Sequence, residues 1–393
     1  MRYRQELKVP FAYDIVFTRG LFEPQNEALL ETLPEGGPHK LAFFVDESVL
    51  GAWPKLPQAI SDWCAARKDR IHLVTNPVIV PGGEAVKNDL MFVQRMTHQY
   101  QRLELCRHSF VAALGGGAVL DAVGLSAAVF HRGLRLLRIP TTVLAQGDSA
   151  VGVKNGVNLD GVKNLIGTFA PPYAVLNDLR FLTSLSRRDW CSGISEMFKV
   201  AAIRDHMFLD RLEKLAPRLA ARDLDAMEEA VRCGALLHAG HIRMGGDPFE
   251  MGSARPLDFG HWSAHKLESM TQYQVRHGEA VAIGVALDLH VASSLGYISI
   301  AERDRVCRAM EACGMALWHP TLAKRSGVTG KLQIVAGLEE FRQHLGGQLT
   351  LTMPDGLGKS REIHELRGEL VEAGVLWLAS RQPQPNEVPA ALQ

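Results

Sequence analysis

The sequence predicts an α/β N-terminal domain of Rossmann-like type, followed by an all-α C-terminal domain that binds a metal ion. Strands alternate with helices up to about residue 180, the pattern then becomes helical, and histidines cluster between residues 257 and 280. Such alternation is typical of parallel βαβ units, whose ligands bind beyond the carboxyl ends of the strands. We therefore place the domains at residues 1–180 and 181–380, followed by a tail, 381–393, of disordered composition.

The first domain is predicted from four strand-like segments. "KLAFFVDESV" indicates a strand that ends at Asp46, and "DRIHLVTNPVIVPGGE" a further strand followed by a turn. "SFVAALGGGAVLDAVGLSAAVF" is typical of a strand, a glycine turn and an apolar helix, and "GLRLLRIPTT" of a strand ending in Pro-Thr-Thr.

The second domain is predicted from helical periodicity. "MFLDRLEKLAPRLAARDLDAMEEAVRCGALLHAGHIR" repeats apolar residues at intervals of three and four, and Pro217 is expected to break or kink this helix. "HGEAVAIGVALDLHVASSLGYIS" predicts another strong helix, which ends near Gly296.

Composition excludes several classes of protein. The 393 residues carry 43 Lys and Arg against 43 Asp and Glu, so the strongly positive surface of a nucleic-acid-binding protein is not expected. The start, "MRYRQELKVP", has no apolar signal core, and no apolar run reaches membrane-spanning length. The six cysteines lack CxxC spacing. We expect a cytoplasmic protein with reduced thiols and no membrane partner.

Two glycine-rich segments suggest phosphate binding. The turn Gly115-Gly116-Gly117 would present the amides of a helix N-terminus to a ligand, although a tight turn explains three glycines about as well. The stretch from 144 to 169 holds two lysines, two aspartates, one of them Asp148, and three asparagines among small residues. Lysine binds phosphate as a point charge, so this stretch is either a binding segment or a solvated loop.

A carboxylate and three histidines form the candidate metal site. Glu196 lies three residues before Lys199 in an apolar helix, and a buried glutamate requires a cation or a metal. His261 and His265 share one helical face, and His277 opens the next helix. One carboxylate and two imidazoles from separate segments are typical of a catalytic zinc site, but spacing does not decide which two histidines bind.

Several motifs together resemble the dehydroquinate synthase-like sugar phosphate cyclases. "PGGEAVK", "GGGAVLDAVG", "IPTTVLAQGDSAVGVKNGVN", "KNLIGTF", "ISEMFKVA", "DFGHWSAH" and "HGEAVAIG" occur in that family's order over roughly residues 40 to 350. The resemblance implies a dehydroquinate synthase-like fold with an NAD-binding α/β domain, a helical domain that carries Zn²⁺ or Co²⁺, substrate in the cleft between them, and a homodimer.

The resemblance also implies roles for individual residues. The metal ligands would be Glu196, His261 and His277. The NAD contacts would be Asp46, Glu84, Lys87, Gly116, Gly117, Asp121, Thr141, Thr142 and Lys163. The residues that act on the substrate would be Asp148, Lys154, Asn164, Lys199, His265, Asp258 and Arg132. Of these, His265 would contact the substrate phosphate. Arg132 resembles an arginine that in the family reaches the phosphate across a dimer interface.

The chemistry implied is a cyclisation without net redox change. NAD oxidises a ring hydroxyl to a ketone, which makes the neighbouring C–H acidic, and a metal stabilises the resulting enolate charge. Phosphate leaves by elimination, the hydride returns, the ring opens, and an aldol closure yields a carbocycle.

Three departures from the pattern of true dehydroquinate synthases bear on the substrate. Those enzymes carry Asn at the position of Asp258, Arg at the position of Ala254, and an upstream Lys for which "LLHAGHIRMGGDPFE" offers none. Arg255 stands one step out of register, and His241 and Arg243 both remain open as replacements. The loss of cationic side chains weakens the binding of a substrate carboxylate, whereas an aspartate can accept a hydrogen bond from a substrate hydroxyl. Sedoheptulose 7-phosphate cyclases resemble this chain in the aspartate, but often have proline at the position of His265.

The sequence therefore predicts a cyclase for a C7 ketose phosphate, with a substrate of the sedoheptulose 7-phosphate type slightly favoured. The first alternative is a 3-dehydroquinate synthase that acts on 3-deoxy-arabino-heptulosonate 7-phosphate. A further alternative is a metal-dependent polyol dehydrogenase. Such an enzyme has the same glycine turn and the same two-domain arrangement that binds NAD and a metal ion, but its substrate has no phosphate for the lysines to bind. An inactive scaffold is the remaining alternative, against which the retained metal and lysine residues argue.

Overall fold

A computed structural model describes residues 1–160, 162–245, 247–250, 257–344 and 347–382. The chain divides into two compact units, Met1–Ser184 and Leu185–Gln393, whereas the sequence predicts a boundary at residue 180. Of the predicted tail, residues 383–393 lie outside the described residues, as do Ala254 and Arg255. The six cysteines are free thiols. Among the described residues, no helix combines the length and apolar character that a membrane span requires.

The first unit contains a parallel sheet with helices on both faces. Its strands are β1 (Asp14–Thr18), β2 (His39–Asp46), β3 (Ile71–Leu73), β4 (Val78–Val80), β5 (Phe110–Gly115), β6 (Arg135–Pro140), β7 (Lys154–Leu159), β8 (Val162–Phe169) and β9 (Ala174–Asp178). Its helices are α1 (Ala28–Thr32), α2 (Glu47–Ala52), α3 (Leu56–Ala65), α4 (Leu90–Arg102) and α5 (Gly117–Val129).

Seven strands form the main sheet in the order β1-β9-β6-β5-β2-β3, with β4 also beside β2, and all of these pairs are parallel. Successive side chains of a strand point to opposite faces, so Phe43 and Phe44 enter two separate cores. Phe43 packs with Ile60 and Trp63 of α3, and Phe44 with side chains of α4 and α5. A strand buried on both faces explains the continuous apolar run in this part of the sequence.

The structure differs from the predicted strands in two places. The segment from 70 to 84 holds two short strands, β3 and β4, because a turn interrupts it. The stretch from 144 to 169, considered as a binding segment or a loop, forms a π-helical turn, Ala145–Ser149, and an antiparallel hairpin of β7 and β8. The hairpin packs on α5 through β7.

The second unit is helical apart from one short antiparallel hairpin in its described part. Its helices are α6 (Arg187–Ser192), α7 (Ser195–Arg204), α8 (His206–Ala220), α9 (Leu224–Met244), α10 (His261–Met270), α11 (His277–Ser294), α12 (Ile300–Ala312), α13 (Ala336–His344) and α14 (Gly368–Ser380), and its strands are β10 (Leu351–Pro354) and β11 (Ser360–Ile363).

Helix α11 is the centre of this unit. Its side chains are buried on every side, and α7, α10, α12 and α14 pack around it. It ends before Gly296, whose left-handed backbone (φ 76°) closes the helix as the sequence predicts. Pro217 lies inside α8, which continues for three residues to Ala220, so the break follows the proline instead of coinciding with it. The predicted fold class, an α/β domain followed by a helical domain, is confirmed.

Candidate active site

The three predicted metal ligands lie at the starts of three helices. Glu196 is the second residue of α7, His261 the first of α10, and His277 the first of α11. Their ligand atoms all lie within 4.8 Å of one another. The packing of α7 and α10 against α11 thus brings together residues that are up to 81 positions apart in sequence.

The spacing of the donor atoms fits a tetrahedral metal ion. Glu196 Oε1 lies 3.5 Å from His261 Nε2 and 3.4 Å from His277 Nε2. Two ligand atoms that each lie about 2.1 Å from a tetrahedral zinc are roughly 3.4 Å apart, so the observed distances match this geometry. They are long for direct hydrogen bonds.

The second ring nitrogen of each histidine already has an acceptor. His261 Nδ1 lies 3.2 Å from the carbonyl oxygen of Phe259, and His277 Nδ1 lies 3.2 Å from Oε2 of Glu268. Each contact places a ring proton on Nδ1, so that Nε2 of the neutral imidazole has a lone pair directed at Glu196. Ligating histidines in metalloproteins are held in this way.

The carboxylate of Glu196 lacks normal hydrogen bonds although it is buried. Neither oxygen accepts a hydrogen bond of good geometry, while Lys199 Nζ lies 2.5 Å from Oε2. Burial raises the pKa of Glu196, but the charges of Lys199 and His261 lower it more, so the pKa falls well below its usual range. A buried, ionised and poorly bonded oxygen is what a metal ion would satisfy.

The electrostatics of His277 lead to the same interpretation. Burial lowers the pKa of His277, but the carboxylates of Glu268 and Glu196 raise it, to about 9. The metal-free site therefore attracts a positive charge at this imidazole. A zinc ion would replace the proton, because a ligating imidazole is neutral.

Close contact between α10 and α11 fixes the position of His261. A Cβ atom added to Gly284 would lie 2.0 Å from the carbonyl oxygen of Gly260, and Gly260 itself is left-handed at φ 79°. Asp288, also on α11, accepts hydrogen bonds of 2.9 Å from the backbone amide of Gly260 and the indole of Trp262. The residues on both sides of His261 are thereby tied to α11.

Helix α6 fixes the start of α11 in a similar way. A Cβ on Gly278 would lie 2.3 Å from the carbonyl oxygen of Ser192 at the end of α6. Arg188 forms two hydrogen bonds of 2.6 Å to the carboxylate of Glu279. Glycine at 278 is thus required for α6 to approach the residue that follows the ligand His277.

The other candidates of the second unit lie around these ligands. His265 is exposed on α10, and its ring stacks on that of His277 at 5.9 Å. Asp258 is half-buried, and its carbonyl oxygen accepts the amide of His261 at 3.0 Å. Of the two residues left open for the missing lysine, Arg243 is exposed, while His241 is half-buried and its pKa is lowered by burial and by positive charges that include Lys199.

The cofactor candidates of the first unit gather where the strand order reverses. From β2 the chain adds β3 and β4 on one side and then returns to β5 on the other, so Asp46 and Gly115 end adjacent strands. Asp46 is buried and accepts hydrogen bonds from the amide and hydroxyl of Ser48. Directly beyond Gly115, Gly116 is the N-cap of α5 and Gly117 is its first residue. Dinucleotides bind at such switch points, with phosphate at the helix N-terminus.

A hydrogen-bonded network joins residues predicted to contact NAD with one predicted to contact the substrate. Lys87 Nζ lies 2.8 Å from Asp121 on α5 and 2.5 Å from the amide oxygen of Asn164 on β8. Asn158, which the sequence analysis missed, donates to Glu84 at 2.9 Å and accepts the amide of Asn164 at 2.9 Å. Residues assigned to NAD and a residue assigned to substrate therefore share one network in the first unit.

The remaining candidates of the first unit lie on the segments after α5 and β6. Arg132 is exposed in the turn after α5. Thr141 and Thr142 follow β6, and Thr142 caps the turn that holds Asp148. Lys154 begins β7 and Lys163 lies on β8.

Buried Arg138 organises this region and escaped the sequence analysis. Its guanidinium donates to the carbonyl oxygens of residues 150, 152 and 154 and to the side chain of Asn155, at 2.6–2.9 Å. It therefore shapes the turn that leads to Lys154. An arginine inside the apolar strand "RLLRIP" was the available signal, because a buried charge requires several partners.

The amino-acid sequence matches two family profiles that meet end to end. The profile described as 3-dehydroquinate synthase N-terminal matches residues 77–192, and the one described as 3-dehydroquinate synthase C-terminal matches residues 193–331.

Curated relatives carry two different names. The 3-dehydroquinate synthase of Paracoccus denitrificans is 34% identical over 356 residues, which cover 89% of this chain and 91% of that protein. The 2-epi-5-epi-valiolone synthase of an Actinoplanes species is 30% identical over 372 residues, which cover 93% of this chain and 90% of that protein. A 3-dehydroquinate synthase of Citrifermentans bemidjiense is 40% identical, but the matched part covers only 62% of this chain and 66% of that protein.

A solved structure extends the similarity to the fold. ValA, the 2-epi-5-epi-valiolone synthase of Streptomyces hygroscopicus subsp. jinggangensis 5008 with NAD⁺ and Zn²⁺ bound, superposes with a TM-score of 0.85 at 26% identity. The match covers 97% of this chain and all of that one. The cofactors predicted from the sequence are thus the ones that this relative binds. The predicted enzyme class, a phosphate-eliminating carbon–oxygen lyase, is confirmed by these relatives. The chain belongs to the 3-dehydroquinate synthase-like family of sugar phosphate cyclases.

Proposed function

We propose that this chain is an NAD- and metal-dependent enzyme that cyclises a C7 ketose phosphate to a carbocycle with loss of phosphate, and that its substrate is of the sedoheptulose 7-phosphate type. The observation that carries the chemistry is the arrangement of Glu196, His261 and His277. Oε1 of the buried Glu196 carboxylate, which lacks good hydrogen bonds, lies 3.4–3.5 Å from Nε2 of each histidine.

The metal and the cofactor have separate tasks. Zn²⁺ or Co²⁺ would polarise substrate oxygens, and NAD⁺ would take up a hydride from the ring carbon that bears a hydroxyl and later return it. Glu196, His261 and His277 would hold the metal, and with three protein ligands a tetrahedral ion keeps a position open for a substrate oxygen. Asp46 and the amides of Gly116 and Gly117 would bind the dinucleotide at the switch point of the sheet.

The remaining side chains would orient the substrate and keep the metal-binding carboxylate ionised. Lys199 favours the ionised form of Glu196 and would hold a substrate oxygen beside the metal. Lys154, Asn164, His265 and Arg132, the last from a second copy in a homodimer, are assigned to the substrate and its phosphate. These assignments and the homodimer rest on the resemblance and stay predictions.

The substrate assignment rests on Asp258 and on missing cations. An aspartate at this position suits a hydroxyl, and no lysine occurs between residues 236 and 250 to bind a carboxylate. Of the two possible replacements for that lysine, Arg243 is exposed and His241 is half-buried, with a pKa lowered by burial and by the charges of Arg204 and Lys199. The similarity to ValA over nearly the whole chain supports the same assignment.

One alternative keeps the chemistry and changes the substrate. The 34% identity to a 3-dehydroquinate synthase over most of both chains, together with retained His265, favours 3-deoxy-arabino-heptulosonate 7-phosphate. The two substrates differ in a carboxylate, so an assay can separate them directly.

The test offers each heptulose phosphate to the purified enzyme loaded with NAD⁺ and Zn²⁺. We expect phosphate release and a carbocycle from sedoheptulose 7-phosphate, without accumulation of NADH. Release from the carboxylated substrate alone would overturn the substrate assignment and support the alternative. Stoichiometric NADH without phosphate release would identify a polyol dehydrogenase, and absence of any reaction with zinc-loaded protein would favour a scaffold.

A variant tests the metal ligands independently of the substrate. His277→Ala should lose zinc and turnover, while His72→Ala, which removes an exposed histidine of β3, should lose neither. Normal zinc content in the His277→Ala protein would rule out this set of ligands.

A further inference from the structure

We propose that Glu268 is a positioning residue of the metal centre, which fixes the ring of His277 and raises its affinity for the metal. This inference rests on the proposed metal site. It concerns a residue two turns along α10 from His261, which neither the motifs nor the donor set around Glu196 include.

The geometry shows a carboxylate built to hold one imidazole. Glu268 is buried, with 2% of its surface exposed, and its Oε2 lies 3.2 Å from His277 Nδ1. The same imidazole directs Nε2 toward Glu196 Oε1 at 3.4 Å. One ring is therefore held from both sides, with the proton-bearing nitrogen on Glu268 and the ligand nitrogen on the metal position.

Helix α10 serves both histidine ligands. His261, His265 and Glu268 follow one another at intervals of four and three residues, so they lie on one face of the helix. The first of these residues supplies a ligand directly, and the last holds the ligand that α11 supplies. The carbonyl oxygen of Phe259 accepts the Nδ1 proton of His261, as Glu268 accepts that of His277. A charged acceptor such as Glu268 raises the basicity of the imidazole more than a neutral carbonyl does.

A second metal ion is the competing explanation. His265, Glu268 and His277 also place donor atoms within 4.8 Å of one another. An ion there would share His277 with the first and would require the proton of Nδ1 to leave its hydrogen bond with Glu268. A single ion and an orienting carboxylate account for the same contacts without a bridging imidazolate, and the stoichiometry of bound zinc separates the two explanations.

The experiment measures zinc binding by chelator competition and metal content in the full chain. Glu268→Ala removes the acceptor, and Glu268→Gln keeps an oxygen but removes the charge. The matched control is Glu340→Gln, which removes the charge of an exposed carboxylate on α13 that pairs with Lys266 of α10. Loss of such an outer partner typically weakens metal binding about 10- to 100-fold.

We expect one zinc ion per wild-type chain, a loss of affinity of about 10- to 100-fold in Glu268→Ala, and a smaller loss in Glu268→Gln. The visible ligand-field spectrum of the Co²⁺-loaded Glu268→Ala protein should also change, since the ring of His277 is no longer fixed. The Glu340→Gln protein should match wild type in affinity and spectrum.

Two results would overturn the inference. One is affinity within two-fold of wild type in both Glu268 variants. The other is two zinc ions in the wild type, of which Glu268→Ala loses one. If Glu268→Ala does not fold, the Glu268→Gln protein decides by the same criteria. Wild-type protein that binds no zinc would instead refute the proposed function.

Discussion

The contact between Gly260 and Gly284 provides the sharpest test of how the fold builds the metal site. Gly284→Ala places a methyl group 2.0 Å from the carbonyl oxygen of Gly260 and 2.9 Å from the hydroxyl of Ser263. Both neighbours belong to α10 or its entry, so α10 and α11 must separate by more than an ångström to restore normal contacts. The substitution touches none of the three ligands, but it moves His261 relative to His277.

The size of the effect follows from the tolerance of a metal site. Overpacking of this kind costs about 1–3 kcal/mol, and the metal-free protein relieves part of it by moving the helices apart. A metal site tolerates deviations of only about 0.2 Å in its metal–ligand distances. Zinc binding must therefore restore the native spacing of α10 and α11, and with it the strain. Only the part of this cost that the metal-free protein relieves is lost from zinc binding, so at about 1.4 kcal/mol per factor of ten the zinc affinity should fall by up to about 150-fold. The gain of about 0.5–1 kcal/mol from alanine in a helix acts on both states and does not restore affinity.

Chelator competition measures the zinc affinity, and thermal unfolding with and without zinc measures the stabilisation that zinc supplies. The control is Gly327→Ala, at a glycine of the same unit with no atom within 4 Å of an added Cβ. Wild-type affinity in Gly284→Ala would refute the argument that this helix contact sets the ligand spacing. Equal losses in both variants would refute it as well.

Two further substitutions test the packing of α11. Asp288→Ala removes the acceptor for the buried donors of Gly260 and Trp262, so the free energy of unfolding of zinc-free protein should fall by about 2–5 kcal/mol in urea titrations; a change below about 1 kcal/mol would contradict this. Burial, and then the charge of Arg303, lower the pKa of His290 to about 4. Between about pH 6.5 and 4 the unfolded chain binds a proton that the folded chain does not, so the free energy of unfolding decreases as the pH is lowered through this window, by an amount on the order of 3 kcal/mol. His290→Gln should remove that part of the slope, and an unchanged slope would show that other groups cause it.

The parallel sheet was predictable because its signals are local. A strand buried on both faces is a continuous apolar run, and a triple glycine between such a strand and an apolar helix indicates one kind of turn. The hairpin of β7 and β8 was not predictable by the same means. Its asparagines, glycines and lysines lack apolar alternation, because one strand packs on α5 and the other is largely exposed.

The candidate site was predictable only in part, since its supports depend on tertiary packing. Glu196, His261 and His277 were found as residue types that bind metals in motifs that resemble a family. Glu268 stands in "HKLE" like any glutamate of a helix surface, and only its burial against His277 shows its role. Asp288 offered a better signal, because it is an isolated acid in the apolar helix "AIGVALDLHVA".

The placement of all three ligands at helix starts bears on the charge of the substrate. The N-terminal end of a helix carries a partial positive charge, so the starts of α7, α10 and α11 oppose a cation and favour an anion at the same point. A divalent ion together with Lys199 and the carboxylates of Glu196 and Glu268 leaves a formal charge of plus one. Binding an anionic substrate oxygen would neutralise this excess and meet the fields of three helices. The centre is therefore better suited to an anionic oxygen, such as that of an enolate or a phosphate, than to a neutral hydroxyl.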